Sequence, residues 1–361
     1  MTVFLFLALY LIFVRFCFES NCDKTAKLIE TILCAIGFIL VLSLRSPYNG
    51  CDLVGGDYLL SNSYYGSFER MPLYSFKELL SGAFYTHFET GFLFYMKSIS
   101  MITSDFQWFM AITSVVQIVP LAFFFYKYSP NVTLSFFIFG CLDFFSFYFS
   151  GIRQSIAISI GVIAIHMLID RKLRYFLFLT LLALLFHTSA IFLLLALSFY
   201  KMKLPFARAG WLCLVILLTI PVLRPLLLWI SDTFFAGGYE GYLQEGSSAL
   251  TMFVVYMFFF LSSFLYKSES SMITIVRWLV LVGVFFQSFG AVNNGALTRG
   301  GYYFLICLPI LLPYVIISVK SLLFRDFIFL AAVFLLSVFF VFTVEGPRNV
   351  VPYYFFWDKP L

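Results

Sequence analysis

Residues 150–190 run SGIRQSIAISIGVIAIHMLIDRKLRYFLFLTLLALLFHTSA. Two apolar runs bracket a basic cluster of Arg171, Lys172 and Arg174. Arg153 and Gln154 stand at the mouth of the first run, and His187-Thr188-Ser189 falls in the middle of the second. An arginine or histidine set among so many Leu, Ile and Phe residues is costly in a membrane, and such a residue is by default a functional candidate. The question for the rest of the chain is whether its other costly residues gather on the same side as these.

Composition makes the membrane setting firm. Of 361 residues 62% are hydrophobic and only 11% charged, with a mean hydropathy of +0.98, whereas a soluble domain carries about 25% charged residues. Aliphatic runs separated by short polar breaks point to helices rather than to a barrel's alternation. The fold class expected is therefore an all-α polytopic membrane protein. It forms a single transmembrane domain over 1–361, with about 10–12 membrane-inserted helices, some of them re-entrant or half-spanning. Fifty Phe and 22 Tyr fit lipid-facing surface and interfacial belts. The seven cysteines show no C-x-x-C pair and no metal-ligand spacing, and no basic tail or arm suits a nucleic acid.

In order, spans are expected at 2–18 (a retained first span rather than a cleaved signal), 28–44, 106–126, 132–149, 152–169, 209–230, 250–266, 272–290, 301–319 and 326–344. Polar excursions at about 45–90 and 231–248 form external loops. Lys24 and Lys27, Lys127, the 171–174 cluster, Lys201, Lys203 and Arg208, Lys267, and Lys320 with Arg325 belong to the cytoplasmic side. Asp232, Glu240 and Glu245, in a loop without Lys or Arg, belong outside. Two segments must then fail to cross: 90–103, which Lys97 interrupts, and 175–200, which positives flank on both sides. Some 26 helical residues rise only about 39 Å, too little for two spans. A hairpin of half-helices broken at 187–189 satisfies the charges, against a rival reading of one tilted span. Irregular backbone at that depth must line protein or a wet cavity. On this topology Arg45, Asp57, Glu89, Arg153, Arg224, Asn293, Asn294 and Arg299 lie at or near the external face, and His187 points towards it.

Arginine at the mouth of a membrane cavity suits a lipid diphosphate, because its planar fork stays charged and grips phosphate oxygens two at a time. Fixed positive charge aimed at a diphosphate leaving group lowers the barrier to breaking its glycosidic bond. An attacking sugar hydroxyl benefits from a base, for which His187, Asp57 and Glu89 compete. Each has a plainer reading. Arg153 could snorkel at a helix end, with Asp143 as its counter-ion. His187 could bridge helices, Arg45 could pair with Asp57, and Arg299 could be an interfacial anchor.

Arg45 with Gly56-Asp57-Tyr58, then FETGF at 88–92, GIRQSIAISI at 151–160, LLALLFHTSAIF at 181–192, TRGGYYF at 298–304 and the tail VPYYFFW follow one another in a familiar order. Together they resemble the EpsG-like family of bacterial polysaccharide polymerases; the RQ-x-x-A and FHTSA elements are the most specific part. The resemblance implies a Wzy-type O-antigen or exopolysaccharide polymerase, a membrane-embedded glycosyltransferase of the bacterial inner membrane. Such an enzyme moves a growing glycan from undecaprenyl diphosphate to a hydroxyl of the incoming lipid-linked unit at the periplasmic face. It implies metal-independent chemistry without a cofactor, and a flippase and a chain-length regulator of the same pathway as partners. The expected assignment is Arg153, Gln154, Arg299, Arg45, Arg224 and Tyr303 on the diphosphate or sugar, with His187, Asp57 and Glu89 catalytic. The main alternative is a flippase of lipid-linked oligosaccharides. It would want charges along a path reaching both faces, and the cytoplasmic halves of these spans are nearly bare.

Overall fold

The computed structural model describes residues 1–18, 23–50, 53, 63–82, 84, 88–235, 248–268, 270–290, 295–344, 348 and 350–358; at 221, 223–235, 248–250, 295–296 and 342–343 it describes backbone alone. Asp57 and Asn293–Asn294 lie outside these residues. Among the described residues the chain is all helix apart from one backbone bridge between Arg45 and Phe355.

The helices are α1 (Thr2–Phe18), α2 (Lys24–Ser43), α3 (Tyr64–Arg70), α4 (Phe76–Leu80), α5 (Thr90–Ser100), α6 (Phe106–Tyr128), α7 (Val132–Cys141), α8 (Phe144–Ser150) and α9 (Ile152–Ile169). They continue with α10 (Leu173–Leu184), a 3-10 helix at Thr188–Leu195, α11 (Ala196–Phe199), α12 (Phe206–Phe235), α13 (Ser248–Ser262), α14 (Ser271–Ser288), α15 (Gly295–Gly300), α16 (Tyr302–Leu305), α17 (Leu308–Ile317) and α18 (Leu322–Val344). Among the described residues five helices are long and apolar enough to cross a membrane, or seven if each of two bent pairs is one span, and five shorter helices are apolar as well.

Two expected spans prove to be broken. The 132–149 run bends by 61° between α7 and α8, because Asp143 takes a left-handed φ of 56° between them. Its carboxylate is held there by the Ser146 hydroxyl and by Arg348, each 2.6 Å away. The 301–319 run bends by 44° between residues 297–305 and α17, where Pro309 sits in the first turn of α17 and brings no amide proton. The 175–200 run is interrupted at 185–187, against the 187–189 expected: α10 stops at Leu184, and the chain resumes as the 3-10 helix at Thr188. Helix α5, at 11 residues, rises about 16 Å, half of a bilayer's ~30 Å apolar core.

The chain packs as two units, Met1–Met167 with Leu173–Ile191 and Asp326–Leu361, and Leu168–Lys172 with Phe192–Arg325. In the first, α2 and α6 are antiparallel. Ser43 meets Ser114 at 2.6 Å near one end, and Lys27 Nζ donates to the Ser129 carbonyl at 2.8 Å at the other. Helix α9 runs parallel to α6: Gln117 Nε2 donates to Ser155 Oγ at 2.5 Å, and Tyr128 reaches His166 at the far ends, 2.7 Å apart. Arg45 and Arg153 therefore share one end of this unit, and Lys27, Lys127 and His166 share the other. Over the Arg153 end, α3, α4 and α5 pack with the first turns of α6 and α9 into a core that includes Tyr64, Phe68, Phe92, Phe106, Phe109 and Ile152. The C-terminal tail closes on the end of α2. Ser46 N–H donates to the Tyr354 carbonyl at 2.8 Å, Phe356 N–H to the Leu44 carbonyl at 2.9 Å, and Asn49 Nδ2 to the Pro352 carbonyl at 2.8 Å.

In the second unit α14 is the buried centre. Its Arg277, 5% exposed, donates through Nη2 to the carbonyls of Ser263 and Tyr266, both at 2.6 Å. Both carbonyls stand at the chain end after α13, where the Ser263 oxygen also accepts from the Tyr266 amide at 3.3 Å, so the cation serves as a C-terminal cap. Gly301 packs against α14 so closely that a Cβ there would lie 3.0 Å from the Gly283 carbonyl oxygen and 2.9 Å from Phe286 Cβ.

Candidate active site

Three of the quoted sequence pieces, FETGF, GIRQS and FHTSA, meet at one place in the first unit. Glu89 is the residue before α5, in extended conformation, and its carboxylate does not cap its own helix. Instead Oε2 accepts from Arg153 Nη1 at 2.5 Å, and Oε1 accepts from the Thr188 amide at 3.2 Å. Both side chains of the ion pair are 15% exposed. Gly91 makes this approach possible. Its amide donates to the Leu185 carbonyl at 2.9 Å, and a Cβ at this position would fall 2.6 Å from that oxygen. The start of α5 is thereby seated against the break in 175–200.

Arg153 is the second residue of α9. Besides Glu89 it donates from Nε to the Tyr64 hydroxyl at 3.2 Å and lies over the Phe88 ring at 4.8 Å. The Phe88 and Tyr64 rings stack at 5.1 Å. A cation so placed is oriented on one edge by a phenol and a carboxylate and on one face by a ring. Asp143, the counter-ion expected from the sequence, serves Arg348 instead. That expectation is corrected: the left-handed turn at Asp143 turns its carboxylate to Arg348 and Ser146, and the partner of Arg153 is Glu89.

His187 lies in the break itself, partly buried. Its Nδ1 accepts from the Ser189 amide at 3.2 Å and lies 2.6 Å from the Ser189 hydroxyl. An acceptor Nδ1 places the ring proton of the neutral imidazole on Nε2. In that tautomer His187 offers an N–H donor at Nε2.

The remaining expected residues fall as follows. Gln154 is 2% exposed, turned into the protein. Arg45, just past α2, is 1% exposed. It lies over the Phe149 ring at 4.6 Å, and its Nε and Nη1 have no hydrogen-bond partner among the described residues. Burial pulls its pKa down to about 9, opposed by Tyr353, so it remains a cation at neutral pH. Arg224 lies in α12, with only its backbone described. Arg299 and Tyr303 belong to the second unit: Arg299 is exposed in the last turn of α15, and Tyr303 is 1% exposed in α16. Position in sequence gave no reason to single out Arg277 or His166. His166 sits at the opposite end of the first unit from Arg153, its Nε2 3.2 Å from Lys127 Nζ.

No curated protein and no solved structure matches the chain. The model of the EpsG family matches residues 32–355, a range that takes in Glu89, Arg153 and His187. The chain therefore belongs to the EpsG family, a Wzy-like family of polysaccharide polymerases.

Proposed function

We propose that this protein polymerises lipid-linked oligosaccharide repeat units, passing the growing glycan from undecaprenyl diphosphate to a hydroxyl of the next lipid-linked unit on the external face of a bacterial inner membrane. At a coarser level, membership of the EpsG family already makes it a polysaccharide polymerase of the membrane. The observation that carries the finer reading is the Arg153–Glu89 pair seated on the broken helix at 185–188. It holds the Arg153 guanidinium at the end of the first unit away from Lys27 and Lys127.

In this reading Arg153 and the Nε2–H of His187 face the diphosphate. They stabilise the charge that develops on its oxygen as the glycosidic bond breaks. Glu89, with one oxygen on Arg153 and the other on the Thr188 amide, holds the cation in place. Among the three competing carboxylate and imidazole groups, that leaves Asp57 as the candidate to accept the proton of the attacking hydroxyl. Water is kept away by the aromatic core of Tyr64, Phe68, Phe88 and Phe92. Arg299 and Tyr303 are further candidates for the sugar or the second diphosphate. A flippase and a chain-length regulator would act beside the polymerase.

The test is the size distribution of surface glycans in a strain lacking the gene. Single repeat units, with long chains restored by the wild-type gene but not by Arg153→Ala at equal protein level, support the reading. Loss of even the single external unit would instead make the protein a flippase.

A further inference from the structure

A hollow opens at the same end of the first unit, next to the Arg153 cluster but separate from it. Its volume is about 550 Å³, within the roughly 300–1,000 Å³ usual for small-molecule sites. Helix α3 divides the two places. Tyr64 turns its hydroxyl to Arg153, while the next residue, Tyr65, lines the hollow with its ring 5.0 Å from Phe106. The other groups that define it are Glu69 from α3, Asp105, Gln107 and Trp108 from the start of α6, and Phe356 from the C-terminal tail.

The chemistry of this lining is of one kind. Trp108 is 62% exposed and Phe356 46% exposed. Two large rings of the lining thus keep accessible surface, which the C–H face of a pyranose requires. The Glu69 carboxylate has no hydrogen-bond or ion-pair partner among the described residues. Asp105 gives one oxygen to the Gln107 amide at 2.8 Å, and the Gln107 side-chain amide is fixed by the carbonyls of Ser43 and Arg45. Among the described residues no Lys or Arg lines the hollow. Rings at an interfacial belt would face lipid, but a wall with two carboxylates and an amide does not. Carboxylates are strong acceptors for sugar hydroxyls and repel phosphate.

We propose that this hollow is a saccharide subsite that takes a neutral or amino-sugar ring of the glycan, one step removed from the diphosphate. It rests on the polymerase reading and deepens it: the cation is at Arg153, and the sugar-gripping acids and rings are across α3. The pocket's charge also selects, since a uronic acid would meet Glu69 and Asp105 as like charges.

The test uses the purified full-length protein in detergent. The probe is the lipid-free oligosaccharide released from the host's own surface glycan, and inorganic pyrophosphate is the competitor. The subsite predicts measurable binding to the wild type. It predicts about tenfold or greater weakening in Glu69→Gln and in Trp108→Ala, the worth of one charge-assisted hydrogen bond or one stacked ring, and no displacement by pyrophosphate. Glu69→Gln is conservative and exposed, so it keeps the test open if Trp108→Ala does not elute as a folded species. Binding that is absent in the wild type, unchanged in the Glu69→Gln variant, or displaced by pyrophosphate overturns the subsite. Failure of the polymerase reading shows elsewhere, as long chains that persist when the gene is removed.

Discussion

Replacing Glu89 by Gln keeps the shape of the side chain and removes only its charge, which makes it the sharpest probe of the Arg153 cluster. The pair is 2.5 Å apart, with each side chain 15% exposed. An exposed pair is worth about 0–1 kcal/mol, while removing one partner of a fully buried pair costs about 3–5 kcal/mol. Arg153 would keep the Tyr64 hydroxyl and the Phe88 ring, so the expected loss lies between these, at roughly 2–4 kcal/mol. Replacing Arg153 by Met should cost a similar amount, since it strands the Glu89 carboxylate with one backbone amide. The double variant should be less destabilised than the sum of the singles by about 2 kcal/mol, because residues in direct contact couple. Equilibrium unfolding of the purified protein in mixed micelles, followed by tryptophan fluorescence, measures all three. Single effects below about 0.5 kcal/mol that simply add would refute the reasoning: the cation would then not be held by Glu89, and the three sequence elements would not meet.

Other expectations follow from the same geometry. Gly91→Ala puts a Cβ 2.6 Å from the Leu185 carbonyl oxygen, so it should cost about 1–3 kcal/mol or more and abolish long glycan chains, whereas Gly82→Ala, with nothing within 4 Å of the added carbon but φ at +76°, should cost stability without touching chain length. Arg45→Met should leave stability unchanged or raise it by about 1–3 kcal/mol, because it removes a buried cation with unsatisfied Nε and Nη1; a loss of that size in thermal unfolding would mean that Arg45 has an anionic partner. Folding lowers the Arg45 pKa to about 9, so the folded state binds this proton less tightly than the unfolded one. Stability contributed by this group should therefore rise with pH from about 9 upward, and Arg45→Met should flatten that rise in pH-dependent unfolding. Arg348→Gln should free the Asp143 turn and lower the melting temperature, and Asp143→Asn should do the same by less because its Oδ1 can still accept from both Ser146 and Arg348.

Much of this arrangement was legible in the sequence. Span boundaries followed from apolar runs, since lipid leaves a backbone no choice but helix. The break at His187 followed from charge bookkeeping, because Lys and Arg flank 175–200 on both sides and 26 residues cannot cross twice. The convergence of FETGF, GIRQS and FHTSA was legible only as motifs in a familiar order. What escaped depends on partners remote in sequence. Nothing around Asp143 marks a helix break; its left-handed turn is held by Arg348, 205 residues away. Glu89 and Asp143 are both acids in apolar surroundings, and only the fold decides which one Arg153 meets. Arg277 and His166 look like stray polar residues in apolar helices until the carbonyls and side chains they serve come into view. One step along a helix turns a side chain by about 100°, so Gln154, adjacent to Arg153, lies buried at 2% exposure, which sequence adjacency alone does not reveal.

The central claim is that this chain itself forms the glycosidic bond, and it is tested most directly with purified protein and one substrate. Incubated with undecaprenyl-diphosphate-linked repeat units in detergent, the wild type should yield a mass ladder spaced by one repeat unit, with free undecaprenyl diphosphate released for each bond made. Arg153→Ala should give neither. Repeat units returned unchanged by folded wild-type protein, or a ladder of equal yield from Arg153→Ala, would contradict the account.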